Sequence, residues 1–265
     1  MIDVFLKGAR YPLVGLQWLP RPRLRRFVIL PLLINTLMFG ALIAWSAQEF
    51  GVFMDWLLSY LPSWLDWLRW LIWPLFAVAA LLVMFYTFTL AANIIASPFN
   101  GLLAEQVETL SRPHVELPAG RPLWKEAVLA PLAELVKLGY FLVRAIPLLV
   151  LFIIPGINAI APVLWLVFGA WMLVLQYADF PMGNHGIRFR DQRRLLGEKK
   201  TLALGFGTAV LGLTLIPVVN FLVMPAAVIG ATLMWVEHFA PKSPASAEEQ
   251  EPTPTTESPT PAEDV

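Results

Sequence analysis

Four consecutive residues, Arg23, Leu24, Arg25 and Arg26, follow Pro20 and Pro22 and stand directly before a long uncharged run. A helix beginning here offers backbone N–H groups without intrahelical partners and the positive end of its dipole. Arginines beside such a start present planar, permanently charged donors, which suit a doubly charged tetrahedral anion. Arginines ahead of a first membrane span also serve as topology signals or lipid-headgroup contacts. Residue types alone leave both uses open.

A second basic group runs from Gly183 to Arg194, with Asn184 and His185 between two glycines and Arg188, Arg190, Arg193 and Arg194 after them. The glycines predict a tight turn; the arginines suit either an anion or a cytoplasmic loop. No metal is expected at His185, because only His114 and His238 could join it and the chain has no cysteine. A third group is Glu105, Glu108, Glu134, Lys137 and Arg144, beside the apolar stretches. Glu134 and Lys137 are three apart and share a helix face, as many surface pairs do. Arg144 lies between apolar segments, where a charge needs a partner or water; Glu105 or Glu108 is the acid expected to meet it. Glu105, Arg144, His185 and Arg188 are the candidates for lining an ion pathway.

The elements that must position these residues are membrane segments. Apolar residues make up 58% of the 265 and charged residues 14%, against about 45–50% and about 25% in soluble domains. Phe27–Trp45 is an uncharged run of 19 residues, near the roughly 20 that cross a bilayer. It starts too late and runs too long for a cleaved signal, so a first span is expected there. Residues 1–26 ahead of it interleave six basic side chains with apolar ones and predict a helix lying in the interface. Residues 46–69 form a polar, tryptophan-rich connection, and Trp70–Ala96 is a second uncharged run of 27 residues. That is about 40 Å of helix, more than a hydrocarbon core of about 30 Å, so it should tilt or project.

From 97 to 143 the chain is amphipathic, with helices expected over 99–111 and 123–143 and a turn between them. Two further uncharged blocks follow, Ala145–Ala178 and Thr201–Val236, of 34 and 36 residues. Each is broken by one signature, Ile154-Pro155-Gly156-Ile157-Asn158 in the first and Ile216-Pro217-Val218-Val219-Asn220 in the second. Proline removes a donor and restricts its predecessor, so each block should reverse there. Two full spans with a turn need more than about 40 apolar residues, which predicts re-entrant hairpins that enter the membrane partway. Ordinary hairpins of short spans, with Arg144 snorkelling, are the alternative. The repeated signature also hints at an internal structural repeat.

The expected fold is thus an all-α integral membrane protein: two long transmembrane helices, two short re-entrant helical hairpins and an N-terminal interfacial helix, within a domain over 1–240. The tail, 241–265, holds six prolines and six acids without an aromatic residue, and is expected to be disordered. Basic residues cluster in 1–26 and 179–200, six in each, which predicts these segments and 97–137 on the cytoplasmic side and the tryptophan-rich connection outside. Nucleophile elbow, zincin, P-loop and dinucleotide glycine motifs are all missing, so neither an enzyme nor a cofactor is expected. The basic residues alternate with membrane segments, which argues against nucleic acid.

Several segments together resemble the CysZ family of bacterial sulfate permeases, over residues 1–240. They are Leu24-Arg25-Arg26-Phe27 leading to Leu30-Pro31-Leu32-Leu33-Ile34-Asn35, then Ser97-Pro98-Phe99-Asn100, the stretch Tyr177–His185, and the stretch Pro225–Thr232. The resemblance implies sulfate uptake across the bacterial inner membrane for cysteine biosynthesis, by a multi-pass homo-oligomer embedded in lipid. The family's sulfate-contacting Gly-Leu-Arg with a further Arg maps onto Arg23, Leu24, Arg25 and Arg26, with Arg23 in place of the glycine. A channel-like permease is the expectation; a proton-coupled carrier and a non-transporting membrane scaffold are the alternatives.

Overall fold

The computed structural model describes residues 1–60, 62, 67, 69–112 and 123–241. The expected turn over 113–122, parts of the tryptophan-rich connection and the acidic tail from 242 onward lie outside them. The elements are all helices: α1 (Ile2–Trp18), α2 (Pro22–Ser59), α3 (Arg69–Ser111), α4 (Leu123–Leu151), α5 (Ala161–Asn184), α6 (Phe189–Glu198), α7 (Lys200–Thr214) and α8 (Pro217–His238).

α1 is the expected N-terminal helix. Ile2, Val4, Leu6 and Leu13 stay exposed, as suits a helix lying against lipid, while Gly8, Tyr11, Pro12 and Gly15 are buried. Glycine is needed because the backbones nearly touch. A Cβ on Gly8 would run into the Leu202 carbonyl, and one on Gly205 into that of Phe5. Gly15 and Gly230 meet Ala226 and Tyr11 in the same way where α1 crosses α8. Small residues let helices approach this closely. Polar contacts finish the junction: the Tyr11 hydroxyl donates to Glu237 Oε2 at 2.5 Å, and Lys7 pairs with Glu237 at 2.6 Å. Burial, reinforced by Glu237, pushes the Tyr11 phenol well above its usual range, so it remains a donor. Gly15→Ala and Gly205→Ala should each cost about 1–3 kcal/mol by overpacking, read as a lower unfolding temperature in detergent. Gly40→Ala, whose Cβ meets open space, should be neutral or mildly stabilising.

α2 and α3 have 38 and 43 residues, about 57 and 64 Å at the usual rise. Both therefore extend well past a core of about 30 Å. They touch through Phe39–Phe88 and Phe50–Trp73, at 4.2 and 5.6 Å between ring centroids. At their far end Trp45, Trp56, Tyr60, Trp67, Trp70 and Trp73 are exposed, the distribution of an interfacial belt.

Three boundaries differ from the sequence reading, one being the end of α4, which runs on from the expected 143 through Arg144 to Leu151. The helix of the first span starts at Pro22 and runs to Ser59, so residues 46–59 are helical rather than a connection. No proline lies between Ser46 and Ser59, and charges do not stop a helix once it leaves lipid. Residues 99–111 are likewise the end of α3, which passes through Pro98; one missing N–H is tolerated where the neighbouring bonds persist.

α4 with α5, and α7 with α8, form the two hairpins, and the repeated signature sits at both reversals. The Asn158 N–H donates to the Ile154 carbonyl at 3.0 Å, and the Asn220 N–H to the Ile216 carbonyl at 2.8 Å. Gly156 has φ +86°, a conformation that favours glycine, whereas Pro217 opens α8 at a position that needs no donor. α2, α5, α8 and the Trp70–Phe88 part of α3 are long and apolar enough to cross a membrane. α7, at 15 residues, is not, being about 22 Å. The core lies between α1, α5, α7 and α8, around Val174, Phe206, Val210 and Ile229, with Leu24, Leu103 and Val107 joining it from α2 and α3.

Candidate functional site

The chain leaves α1 at Trp18 and re-enters a helix at Pro22. Arg21 caps α2 in an extended conformation without a side-chain cap. Its carbonyl accepts from both Leu24 and Arg25, at 2.9 and 3.0 Å, and Pro22 has no N–H to satisfy. Leu24 is fully buried. That one anchor turns the adjoining arginines outward: Arg23, Arg25 and Arg26 are all exposed. Arg26 reaches Gln106 on α3 at 3.4 Å and lies 4.8 Å from the Phe27 ring. Among the described residues no carboxylate pairs with Arg23, Arg25 or Arg26. Three uncompensated guanidiniums at a helix start make a positive field suited to an anion.

α3 also carries one member of a buried pair. Glu108 on α3 is 1% exposed, and His185, just past α5, places Nε2 at 3.0 and 2.9 Å from its two oxygens. The imidazole also lies 5.3 Å from the Trp235 ring. Asn184 donates to the Gly101 carbonyl at 2.9 Å, so two successive residues fasten the end of α5 to α3. Gly186, with φ +70°, closes the tight turn expected there.

The other candidates stand apart from this pair. Glu105 is exposed, and Arg188 is the exposed residue that caps α6. Arg144 meets neither Glu105 nor Glu108. Its guanidinium lies 3.8 Å from the centre of the Tyr140 ring, and Glu108 is already taken by His185. The reason is geometric: α4 is held by α5, through Trp171 Nε1 donating to the Tyr140 hydroxyl at 2.9 Å, and not by the end of α3.

Sequence reasoning missed a second clasp. Lys137 donates to Asp179 Oδ2 at 2.5 Å and to Glu134 at 2.7 Å, while Gln192 Nε2 donates to Asp179 Oδ1 at 2.7 Å. α4, α5 and α6 are joined at one carboxylate. Asp179 stands amid the Tyr177–His185 stretch, but Lys137 is 42 positions away, beyond any spacing rule. α6 is a helix where the basic residues suggest a loop; its buried Gln192 and Leu196, four apart, are the available helical signal. Asp179→Asn should lose about 1–3 kcal/mol of stability, and amide exchange should quicken in α6 before it does in α8.

The sequence profile described as "Sulfate transporter CysZ/Etoposide-induced protein 2.4" matches residues 11–225. A sulfate transporter CysZ of Pseudomonas aeruginosa (strain LESB58) is 43% identical over 242 residues, covering 90% of this chain and 98% of its own length. Sulfate transporters CysZ from two Pseudomonas fluorescens strains are 46% and 48% identical over 235 residues, each covering 87% of this chain. Matches of this extent, the profile running over the arginine cluster, the Glu108–His185 pair and the reversals of both hairpins, leave one conclusion: the chain belongs to the family of the sulfate transporter CysZ and etoposide-induced protein 2.4.

Proposed function

We propose that this chain is a sulfate permease of the bacterial inner membrane, admitting sulfate to the cytoplasm for sulfur assimilation and cysteine biosynthesis. The observation that carries the reading beyond the relatives' names is the set of exposed, uncompensated guanidiniums at the foot of the first span. Arg25 and Arg26 bind the anion, Arg23 adds to the field, and Leu24 fixes the turn that presents them. Glu105, Arg144, His185 and Arg188 edge the cytoplasmic face across which sulfate leaves. Equilibrium binding to the purified protein tests the site: sulfate should bind in preference to chloride, and equal affinity would reject it.

The hairpins enter the membrane only partway. Their tips support this, because Ile153, Leu215, Val218 and Phe221 are 78–81% exposed there without a charge or an aromatic belt. Ends of this kind belong in hydrocarbon, unlike the tryptophan-lined end of α2 and α3. Cysteines placed at Pro155 and Pro217 in this cysteine-free chain should therefore resist impermeant thiol reagents from outside; ready labelling at both would mean full spans. The nearly unburied apolar faces of α2 and α3 support a homo-oligomer in which copies and lipid cover them.

Transport is channel-like. Two charges moving against 100 mV cost about 4.6 kcal/mol at about 2.3 kcal/mol per charge, or roughly three decades of concentration. The chain has no nucleotide-binding motif to drive that, so sulfate consumption inside the cell must sustain the flow. The Glu108–His185 pair favours a second reading, a proton-coupled carrier, since it sets an imidazole against both oxygens of a buried carboxyl group where α5 ends against α3.

A further inference from the structure

Arg144 and Arg193 share one aromatic ring. Their guanidinium carbons lie 3.8 and 4.5 Å from the centre of Tyr140, so the two cations are within about 8 Å of each other, a distance at which like charges repel. Among the described residues neither has an acid partner. The carboxylates nearby are committed elsewhere: Asp179 and Glu134 to Lys137, and Glu198 to Arg194. Asp191 is two positions before Arg193 and therefore on another face of α6. Arg193 also keeps its Nε buried with no hydrogen-bond partner, an orphan donor that costs stability unless something accepts from it.

The platform under them is held from two sides. Trp171 holds the Tyr140 hydroxyl at 2.9 Å, and Phe189 meets the Tyr140 ring edge-on at 5.5 Å. Cation–π contact satisfies one guanidinium face; it leaves the in-plane N–H donors of both arginines free. Two forks of donors at one ring, one carried by α4 and one by α6, match the several oxygens of a tetrahedral anion.

We propose that Arg144 and Arg193, mounted on Tyr140, form a second binding site for a tetrahedral oxyanion, separate from the one at the start of α2. α5 stands between the two, touching α3 through Asn184 and His185 and α4 through Trp171 and Asp179. The occupant is either sulfate on its way off the permease or the phosphate of an anionic lipid. In the first case the inference rests on the transport reading; in the second it stands alone.

The experiment uses the full chain in nanodiscs of zwitterionic lipid, with sulfate counted by equilibrium dialysis. Phosphatidylglycerol retention is measured in parallel by native mass spectrometry. If sulfate is the occupant, the unaltered protein takes two sulfates per chain. Arg144→Gln with Arg193→Gln then takes one, with affinity at the lost site reduced about tenfold or more. The corresponding double lysine variant, which keeps charge without the fork, should fall between. If lipid is the occupant, sulfate counts stay the same and the glutamine variant loses phosphatidylglycerol retention about tenfold. Unchanged sulfate stoichiometry together with unchanged lipid retention overturns the site. A failure of the transport reading is distinguishable, because the unaltered protein would then bind no sulfate and the lipid measurement alone would decide.

Discussion

Purified protein carrying Arg25→Ala and Arg26→Ala together binds sulfate about a hundredfold or more weakly than the unaltered chain, while remaining folded and inserted. Each guanidinium offers charge-assisted hydrogen bonds worth about 1.5–3 kcal/mol, so each substitution alone should cost roughly ten- to a hundredfold. Both side chains are exposed, and the helix start they flank is anchored by the buried Leu24, so alanine removes donors and little packing beyond the Arg26–Phe27 contact. Arg23→Ala, which leaves Arg25 and Arg26 in place, should cost less and mainly through the lost field. Isothermal titration in detergent checks all three. Unaltered affinity in the double variant would return these arginines to setting membrane topology.

His185→Ala should be the most damaging single substitution to stability. It strands the Glu108 carboxylate, 1% exposed, without the imidazole that holds both its oxygens. Removing one partner of a buried pair costs about 3–5 kcal/mol, and thermal unfolding in detergent should show it. Replacing Glu108 by Leu in the His185→Leu background, which removes both polar groups, should recover most of the loss, because no buried charge is left unpaired. Near-normal stability in His185→Ala, or no recovery in the double variant, would mean the pair does not hold α3 to the end of α5.

The contrast between these two sites shows what a sequence can disclose. The proposed site at Arg23, Leu24, Arg25 and Arg26 can be named from the sequence because its chemistry is local: clustered cations, two prolines and an apolar run beside them. The spans were legible for the same reason, since Phe27–Trp45 and Trp70–Ala96 are uncharged over a bilayer's width. The reversals were legible because Pro155 and Pro217 remove a donor where the chain must turn. Ends of elements were not, because Pro98 and the polar residues of 46–59 are compatible with a helix and only packing and solvent decide. The Glu108–His185 contact spans 77 positions, and the Lys137–Asp179 contact 42; no periodicity connects them. Glu108 was accordingly offered to Arg144, the nearest unexplained cation in the sequence, when the fold gives it to His185.

Sulfate uptake into liposomes, with the membrane voltage clamped and a pH gradient imposed, tests the permease reading most directly. A channel-like permease gives saturable sulfate flux above that of protein-free vesicles, weakened by Arg25→Ala with Arg26→Ala. Internal sulfate stops rising at the level the voltage sets, whatever the pH outside. Accumulation beyond that level, driven by an acidic exterior and lost in a His185 variant that still folds, would make the protein a proton-coupled carrier. Flux no greater than in protein-free vesicles would contradict sulfate transport itself.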